Sequence, residues 1–196
     1  MGQIFADILN QGRTDMQTPG FGKSRQWFRD KASEVNKINA TNLISNHRTQ
    51  QRTSVKVGQM YLFAYDAKHK DTLPYYDMYP LVFPFSLVDG GFMGLNMHYL
   101  PPILRARLMD ALYDLASNKN IDDNTRLMMS YRVLQSSSKY KYFAPCVKRY
   151  LFSQLRTRFL LIPSNEWDIA LFLPLEKFNA SKSLVYRDTN AIIRRS

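Results

Sequence analysis

The chain has 196 residues, a formal net charge of +11 and a single cysteine, Cys146. Its hydrophobic fraction of 45% is ordinary for a globular protein, and the length suffices for one well-buried core, so global disorder is disfavoured. One cysteine excludes an internal disulfide and fits synthesis in a reducing compartment. We expect no signal peptide, because the N-terminal residues lack a basic region followed by a long apolar run. We expect no membrane partner, because no run approaches the roughly 18 apolar residues that a membrane span needs.

Residues 1–54 are predicted to form an N-terminal helical arm outside the core. Residues 12–22 are rich in Gly and Pro, which break regular structure, and residues 23–47 place apolar side chains near helical spacing. Basic residues lie between those apolar positions, so the outer face of this predicted helix is expected to be positive. We expect such an arm to pack on a neighbouring subunit, with Trp27 and Phe28 as candidates for the contact.

The strands of the core are predicted from a tyrosine-rich stretch. Aromatic side chains occupy every second position from Tyr61 to Tyr65, which is the period of a strand. Val82–Val88 and Phe92–Met97 predict two more strands, joined by the turn Asp89-Gly90-Gly91. With a later strand near residues 158–163, they predict a small antiparallel β-barrel or sheet.

Three or four helices are predicted to pack on these strands, giving an α+β core over residues 55–178. Pro101-Pro102 predict the start of a helix, since proline is tolerated in a first turn. Pro145–Leu155 is predicted to be a further helix, and Glu166–Phe172 a short one. Residues 179–196 are predicted to be a C-terminal tail.

Positive charge is concentrated in one segment in the second half of the chain. Residues 139–160 contain six Lys/Arg and no acid, whereas residues 58–101 contain two Lys/Arg against four acids. The basic segment therefore predicts an anionic partner, either nucleic acid or an acidic protein face. Its candidate anion-binding residues are Lys139, Lys141, Lys148, Arg149, Arg156 and Arg158.

Aromatic residues interleave with these bases, which has two interpretations. Rings that stack on bases beside cations that meet phosphates would suit single-stranded nucleic acid. The simpler interpretation is an amphipathic helix with its aromatics in the core and its bases in water. The acidic stretch 58–101 is the weaker candidate for nucleic acid and the better one for protein contact.

No motif in the chain predicts catalysis, a metal site or a cofactor. Asp66, His69 and Asp71 could imitate the acid/base cluster of a metal-dependent nuclease, but a solvated charged turn explains them more simply. Cys146 is followed closely by two bases that could lower its pKa, yet no histidine accompanies it, so a buried structural thiol is predicted. We therefore expect a protein that is not an enzyme.

Two passages resemble a known family. YLFAYDAKHKDTLPYYDMYPLVFPF with GFMGLNMHYLPPILRARLMDAL, and RFLLIPSNEWDIALFLPLEKF, are similar to a virion protein of T-even-type contractile-tailed phages, including cyanophage-like members. The resemblance implies either a tail or baseplate component or a protein that guards the packaged DNA end. It brings no catalytic residues with it.

Two functions follow from the resemblance and the charge pattern together. The first is a structural protein of the tail tube and baseplate hub, made in the host cytoplasm and carried in the virion, where it contacts other virion proteins. Its candidate anchors are Trp27, Phe28, Tyr75, Tyr76, Tyr79 and Trp167. The alternative is a DNA-binding protein at the packaged DNA end or the head–tail junction.

Overall fold

The computed structural model describes residues 39–101 and 141–195, together with residues 104, 105, 132 and 136. This part of the chain contains one open six-stranded antiparallel sheet and three α-helices, which confirms the predicted α+β class. The strands are β1 (Gln51–Arg52), β2 (Met60–Leu62), β3 (Leu81–Val88), β4 (Gly91–Asn96), β5 (Val147–Leu151) and β6 (Phe159–Ile162). Their order is β1-β6-β2-β3-β4-β5, so β1 and β5 are the two edges. The sheet is open, so of the two predicted forms it is the sheet and not the barrel.

The β3–β4 hairpin matches its prediction closely. The two strands are joined at Gly90, whose φ of 67° lies in the left-handed region that glycine adopts without a Cβ penalty. Proline is unusual in a central strand because it cannot donate to the ladder, and here Pro84 stands where the register shifts between Pro84 and Ser86. The irregularity lets β3 continue past the proline.

One predicted helix is wrong. Pro145–Leu155 was expected to be helical, but it consists of the end of a 3-10 helix (Lys141–Cys146), strand β5 and a second 3-10 helix (Phe152–Gln154). β5 pairs with β4 along its whole length. The basic segment therefore forms an edge of the sheet instead of the outer face of a helix.

Both faces of the sheet are buried, and they differ in composition. One face is aromatic: Tyr61, Phe63, Phe92, Tyr150 and Phe159 pack against one another, with ring centroids between 5.0 and 6.1 Å apart in the contacts of Phe63. The other face is mainly aliphatic and is covered by the helices. Since successive strand residues point to opposite faces, β2 supplies both clusters in turn.

The three α-helices are α1 (Ala40–Asn46), α2 (Trp167–Phe172) and α3 (Lys182–Arg195), and all contribute to the aliphatic side. Asn39 caps α1 by accepting a hydrogen bond from the Asn42 amide at 2.8 Å. α3 buries Val185 and Thr189, and Thr189 Oγ1 donates to the Tyr99 carbonyl at 2.8 Å. Within these residues, no helix is both long and apolar enough to cross a bilayer.

The remaining predictions on architecture concern residues outside this description. Most of the predicted arm, and most of the helix expected after Pro101, lie among residues that the structure does not describe, although Leu104 and Arg105 are helical. The division into arm, core and tail stays a prediction. Residues 182–195 of the predicted tail are the helix α3.

Candidate nucleic-acid interface

A cleft of about 570 Å³ opens between the edge strand β5 and the loop that follows β2. We call it the tyrosine cleft, because five of its lining residues are tyrosines. The lining residues are Tyr65, Ala67, Lys68, His69, Leu73, Tyr75, Tyr76, Asp77, Tyr99, Val147, Lys148, Arg149, Tyr150 and Leu151. The cleft thus combines aromatic rings with basic side chains from two distant parts of the chain.

The loop and the edge strand are fixed to each other by hydrogen bonds. The Leu151 amide donates to the Tyr65 hydroxyl at 3.2 Å, and the Asp66 amide donates to the Gln154 carbonyl at 3.1 Å. On the other side of β5, a Cβ on Gly91 would collide with the Tyr150 carbonyl, so glycine is needed where β4 and β5 approach. Both walls of the cleft are therefore anchored to the sheet.

Lys148 is the central cation of the cleft. Its Nζ lies 4.2 Å from the centroid of the Tyr99 ring, a cation–π contact. Within the described residues, no carboxylate lies within ion-pair distance of this amine. Burial lowers the pKa of Lys148, because desolvation disfavours the charged form. An anion in the cleft would restore the lost solvation.

The rim adds further basic residues. Lys68 and His69 are exposed on the loop, and Arg149 is exposed on β5, where its Nη2 donates to the Asp89 carbonyl at 3.0 Å. That hydrogen bond is to a neutral acceptor, so the guanidinium charge is not compensated by a carboxylate there. Three Lys/Arg residues therefore line the cleft.

The floor of the cleft is held by a buried polar network that sequence reasoning missed. Asp77, 3% exposed, accepts from His98 Nδ1 at 2.6 Å and from Asn96 Nδ2 at 3.2 Å. Asn96 Nδ2 also donates to the Tyr150 hydroxyl at 3.0 Å. Asp77 further accepts from the amides of Tyr79 and Lys177. These hydrogen bonds occupy the Asp77 carboxylate, which is one of the residues that line the cleft.

The six predicted anion-binding residues separate into groups. Lys148 and Arg149 line the cleft. Arg156 instead forms an ion pair with Asp66, with its Nη2 2.6 Å from Asp66 Oδ2. Arg158 is exposed beside β6, away from the cleft lining. Lys139 lies outside the described residues, as does the side chain of Lys141.

The six predicted interface aromatics also separate. Tyr75 and Tyr76 are half-buried and line the cleft, and Tyr79 accepts a hydrogen bond from Thr41 Oγ1 at 2.8 Å. Trp167 is only 5% exposed and packs edge-on against Phe83, so its contacts here are internal. Trp27 and Phe28 lie outside the described residues. Their role in protein contacts stays a prediction.

The residues considered for catalysis have other environments. Asp66 binds Lys70 and Arg156, and the hydrogen bonds from Arg156 and then Lys70 lower the pKa of its carboxyl. In the described part of the chain, no three His, Cys, Asp or Glu side chains converge as metal ligands would. Cys146 is fully buried, as predicted, and burial raises its pKa to about 12.

Comparison with known proteins gives one match. The family model described as "Phage T4 terminal DNA protecting protein" matches residues 5–192. The chain belongs to this family. No curated protein and no solved structure gives a significant match.

The resemblance to a T-even-type phage protein implied either a tail or baseplate component or a protein that guards the packaged DNA end. Membership in the terminal DNA protecting family confirms the resemblance to a T-even-type phage protein and supports the second of these. The match agrees with the DNA-end alternative better than with a tail or baseplate component. The tail and baseplate role stays a prediction, and the family description does not mention it. The match covers both walls of the tyrosine cleft, since it includes the loop after β2 and strand β5.

Proposed function

We propose that this protein binds the ends of packaged phage DNA within the virion and shields them from exonucleases, without catalysing a reaction. The observation that carries the proposal is the family match over residues 5–192. Two features of the structure support it: a basic edge strand, and a cleft in which cations that have no carboxylate partner among the described residues lie beside tyrosine rings. Lysine and arginine that are free of internal ion pairs are available to phosphates.

The direct test is exonuclease protection of linear duplex DNA by the purified protein. We expect the protein to preserve the ends of a linear duplex, and an excess of a covalently closed circle to compete poorly. Digestion at the unprotected rate at saturating protein would overturn the proposal. Equal competition by the closed circle would show binding along the duplex, which would also contradict an end-binding role.

A pair of charge reversals tests whether the cleft side of the molecule is responsible. Lys148→Glu with Arg149→Glu should weaken DNA binding and reduce the salt dependence, by roughly 0.9 log units per log of salt for each phosphate that the variant no longer neutralises. Arg194→Glu with Arg195→Glu changes the net charge equally, at exposed positions of α3 that do not line the cleft. Equally weakened binding in both double variants would mean that only the overall charge matters.

A further inference from the structure

The size of the tyrosine cleft limits what can occupy it. Pockets for small molecules usually measure about 300–1,000 Å³, and the tyrosine cleft measures about 570 Å³. A volume of this size accommodates a nucleotide, whereas a base-paired, stacked duplex is too wide to enter. A DNA ligand of the cleft must therefore be a nucleotide that has left the duplex, which happens most readily at an end.

The charges of the cleft suit a highly charged group. Three Lys/Arg residues line it, and Lys148 is half-buried with its amine against the Tyr99 ring. Asp77, the single carboxylate among the described lining residues, is held by four hydrogen bonds from its neighbours. A terminal 5′-phosphate is a monoester that carries more negative charge than an internal phosphodiester. Lysines on the two walls of the cleft, Lys68 on the loop and Lys148 on β5, match that group better than they match one backbone phosphate.

The rings of the cleft have two different roles. Tyr65 and Tyr150 pack into the aromatic face of the sheet, with centroids 5.0 Å apart, so their rings are already covered. Tyr75 and Tyr76 are only half-buried and lie on the loop that forms the opposite wall. Partly open tyrosine rings beside cations are the arrangement that binds single nucleotides by stacking.

We propose that the tyrosine cleft takes the unpaired, 5′-phosphorylated terminal nucleotide of a DNA strand. Lys148 and Lys68 bind its phosphate, and Tyr75 and Tyr76 contact its base. This inference rests on the proposed function and deepens it, because it states how an end is told apart from the duplex interior. An internal nucleotide lacks the monoester phosphate and is held in the stack.

The test uses short duplexes closed by hairpin loops, with binding measured by fluorescence anisotropy at fixed salt. One substrate has a single open end with a short 5′-phosphorylated overhang, a second has the same end with a 5′-hydroxyl, and a third is closed at both ends. We expect the affinity to fall about tenfold on removing the phosphate and further on closing the end. A deoxynucleoside 5′-monophosphate should compete with the first substrate, and the nucleoside should not.

Variants of Tyr76 provide a matched pair. Tyr76→Ala removes the ring and should weaken binding to the phosphorylated open end by about tenfold, as expected for one stacked base. Tyr76→Phe keeps the ring and removes only the hydroxyl that lies 3.4 Å from Asp66 Oδ1, so it should bind like the unmodified protein. Thermal unfolding of each variant identifies any that fail to fold, and the three-substrate comparison needs no variant.

The outcomes separate this inference from the proposed function. Equal affinity for the phosphorylated, hydroxyl and doubly closed duplexes would overturn the inference. If exonuclease protection of long linear DNA persists in that case, the proposed function stands and only the use of the cleft is wrong. If neither protection nor binding of any duplex is seen, the proposed function itself fails.

Discussion

This protein has two centres of positive charge that differ in how the charge is compensated. We call the first the arginine centre: Arg105 with Glu176, Tyr186 and Lys182. The second is the tyrosine cleft around Lys148. Tyr99 lies between them, since its carbonyl accepts from α3 while its ring contacts Lys148. Both centres combine cations with tyrosines, so composition alone does not distinguish them.

The arginine centre is buried around a guanidinium that makes several hydrogen bonds. Arg105 is 1% exposed, and its guanidinium donates to the carbonyls of Leu100, Leu171 and His98 and to the Tyr186 hydroxyl, at 2.7 to 3.3 Å. Its Nη2 also lies 3.7 Å from Glu176 Oε1. Since a buried charge is tolerated only when it is paired and hydrogen-bonded, this arrangement is what the fold requires.

The tyrosine cleft is open and unsaturated. Lys148 has a ring as its neighbour, and Arg149 and Lys68 reach the surface without a carboxylate partner in the described residues. The cation of the arginine centre therefore stabilises the fold, whereas the cations of the tyrosine cleft are available to a ligand. Substitutions should lower the free energy of unfolding strongly in the arginine centre and only slightly in the tyrosine cleft.

The largest expected effect is the loss of Arg105. Arg105→Met should lower the free energy of unfolding by about 3–5 kcal/mol, because several buried carbonyls lose their hydrogen-bond donor and the buried Glu176 loses one of its cations. Arg149→Met, the same substitution at an exposed position, should change it by less than about 0.5 kcal/mol. Urea unfolding of both variants measures the difference. Similar destabilisation at the two positions would remove the distinction between the centres.

A smaller effect is expected from acid. Burial alone would raise the pKa of Glu176, but the charges of Arg105 and His98 and a hydrogen bond from Lys182 outweigh it and lower the pKa to about 2, from 4.5. A depressed carboxyl pKa contributes stability that is present above the unfolded value and is lost as pH falls. Between about pH 4.5 and pH 2, the protein should therefore lose on the order of 2 kcal/mol through this group.

Glu176→Gln is the control for the acid prediction. The variant should be less stable than the unmodified protein at neutral pH, and the two should converge as pH approaches 2, because the titrating group is absent from one of them. Other carboxylates contribute equally to both curves. Parallel curves over this pH range would show that Glu176 does not titrate as the structure implies.

The sequence was sufficient to predict local elements where one signal dominated. The β3–β4 hairpin was predicted because alternating apolar residues flank a Gly-Gly turn, and the short helix near residues 166–172 was predicted within a residue. β5 was missed because Val147, Tyr150 and Leu151 have helical spacing. In the structure, Tyr150 packs on the aromatic face and Val147 on the aliphatic face, so burial of both faces hides the strand period.

The site was predicted in pieces that the sequence could not join. Lys148 and Arg149 were identified as cations for an anionic partner, and Tyr75 and Tyr76 as aromatics for a protein partner. The pairing of β4 with β5 brings these residues to one cleft, and a single sequence does not report strand pairing across about fifty residues. Arg105 gave no local signal, because its side-chain partners Glu176 and Tyr186 lie far along the chain and its nearby partners are backbone carbonyls.

The smallest and most discriminating expectation concerns Lys148. Lys148→Met keeps the aliphatic stem while removing a desolvated charge that has no carboxylate partner in the part of the chain that the structure describes. The free energy of unfolding should therefore stay within about 0.5 kcal/mol or rise slightly. The same variant should bind DNA ends more weakly. A charge that is kept for binding a ligand is expected to lower the stability of the free protein, so its removal should not destabilise the fold.

The pH dependence of that comparison has a definite sign. Burial lowers the pKa of Lys148, so the folded state resists protonation, and this cost is relieved as pH rises through the folded pKa. The unmodified protein should therefore gain stability relative to Lys148→Met at alkaline pH, as measured by urea midpoints at constant m-value. A destabilisation of more than about 1 kcal/mol in the variant at neutral pH would mean that the interaction with Tyr99 outweighs desolvation. Lys148 would then hold the fold together, as Arg105 does, and would not be a cation held for a ligand.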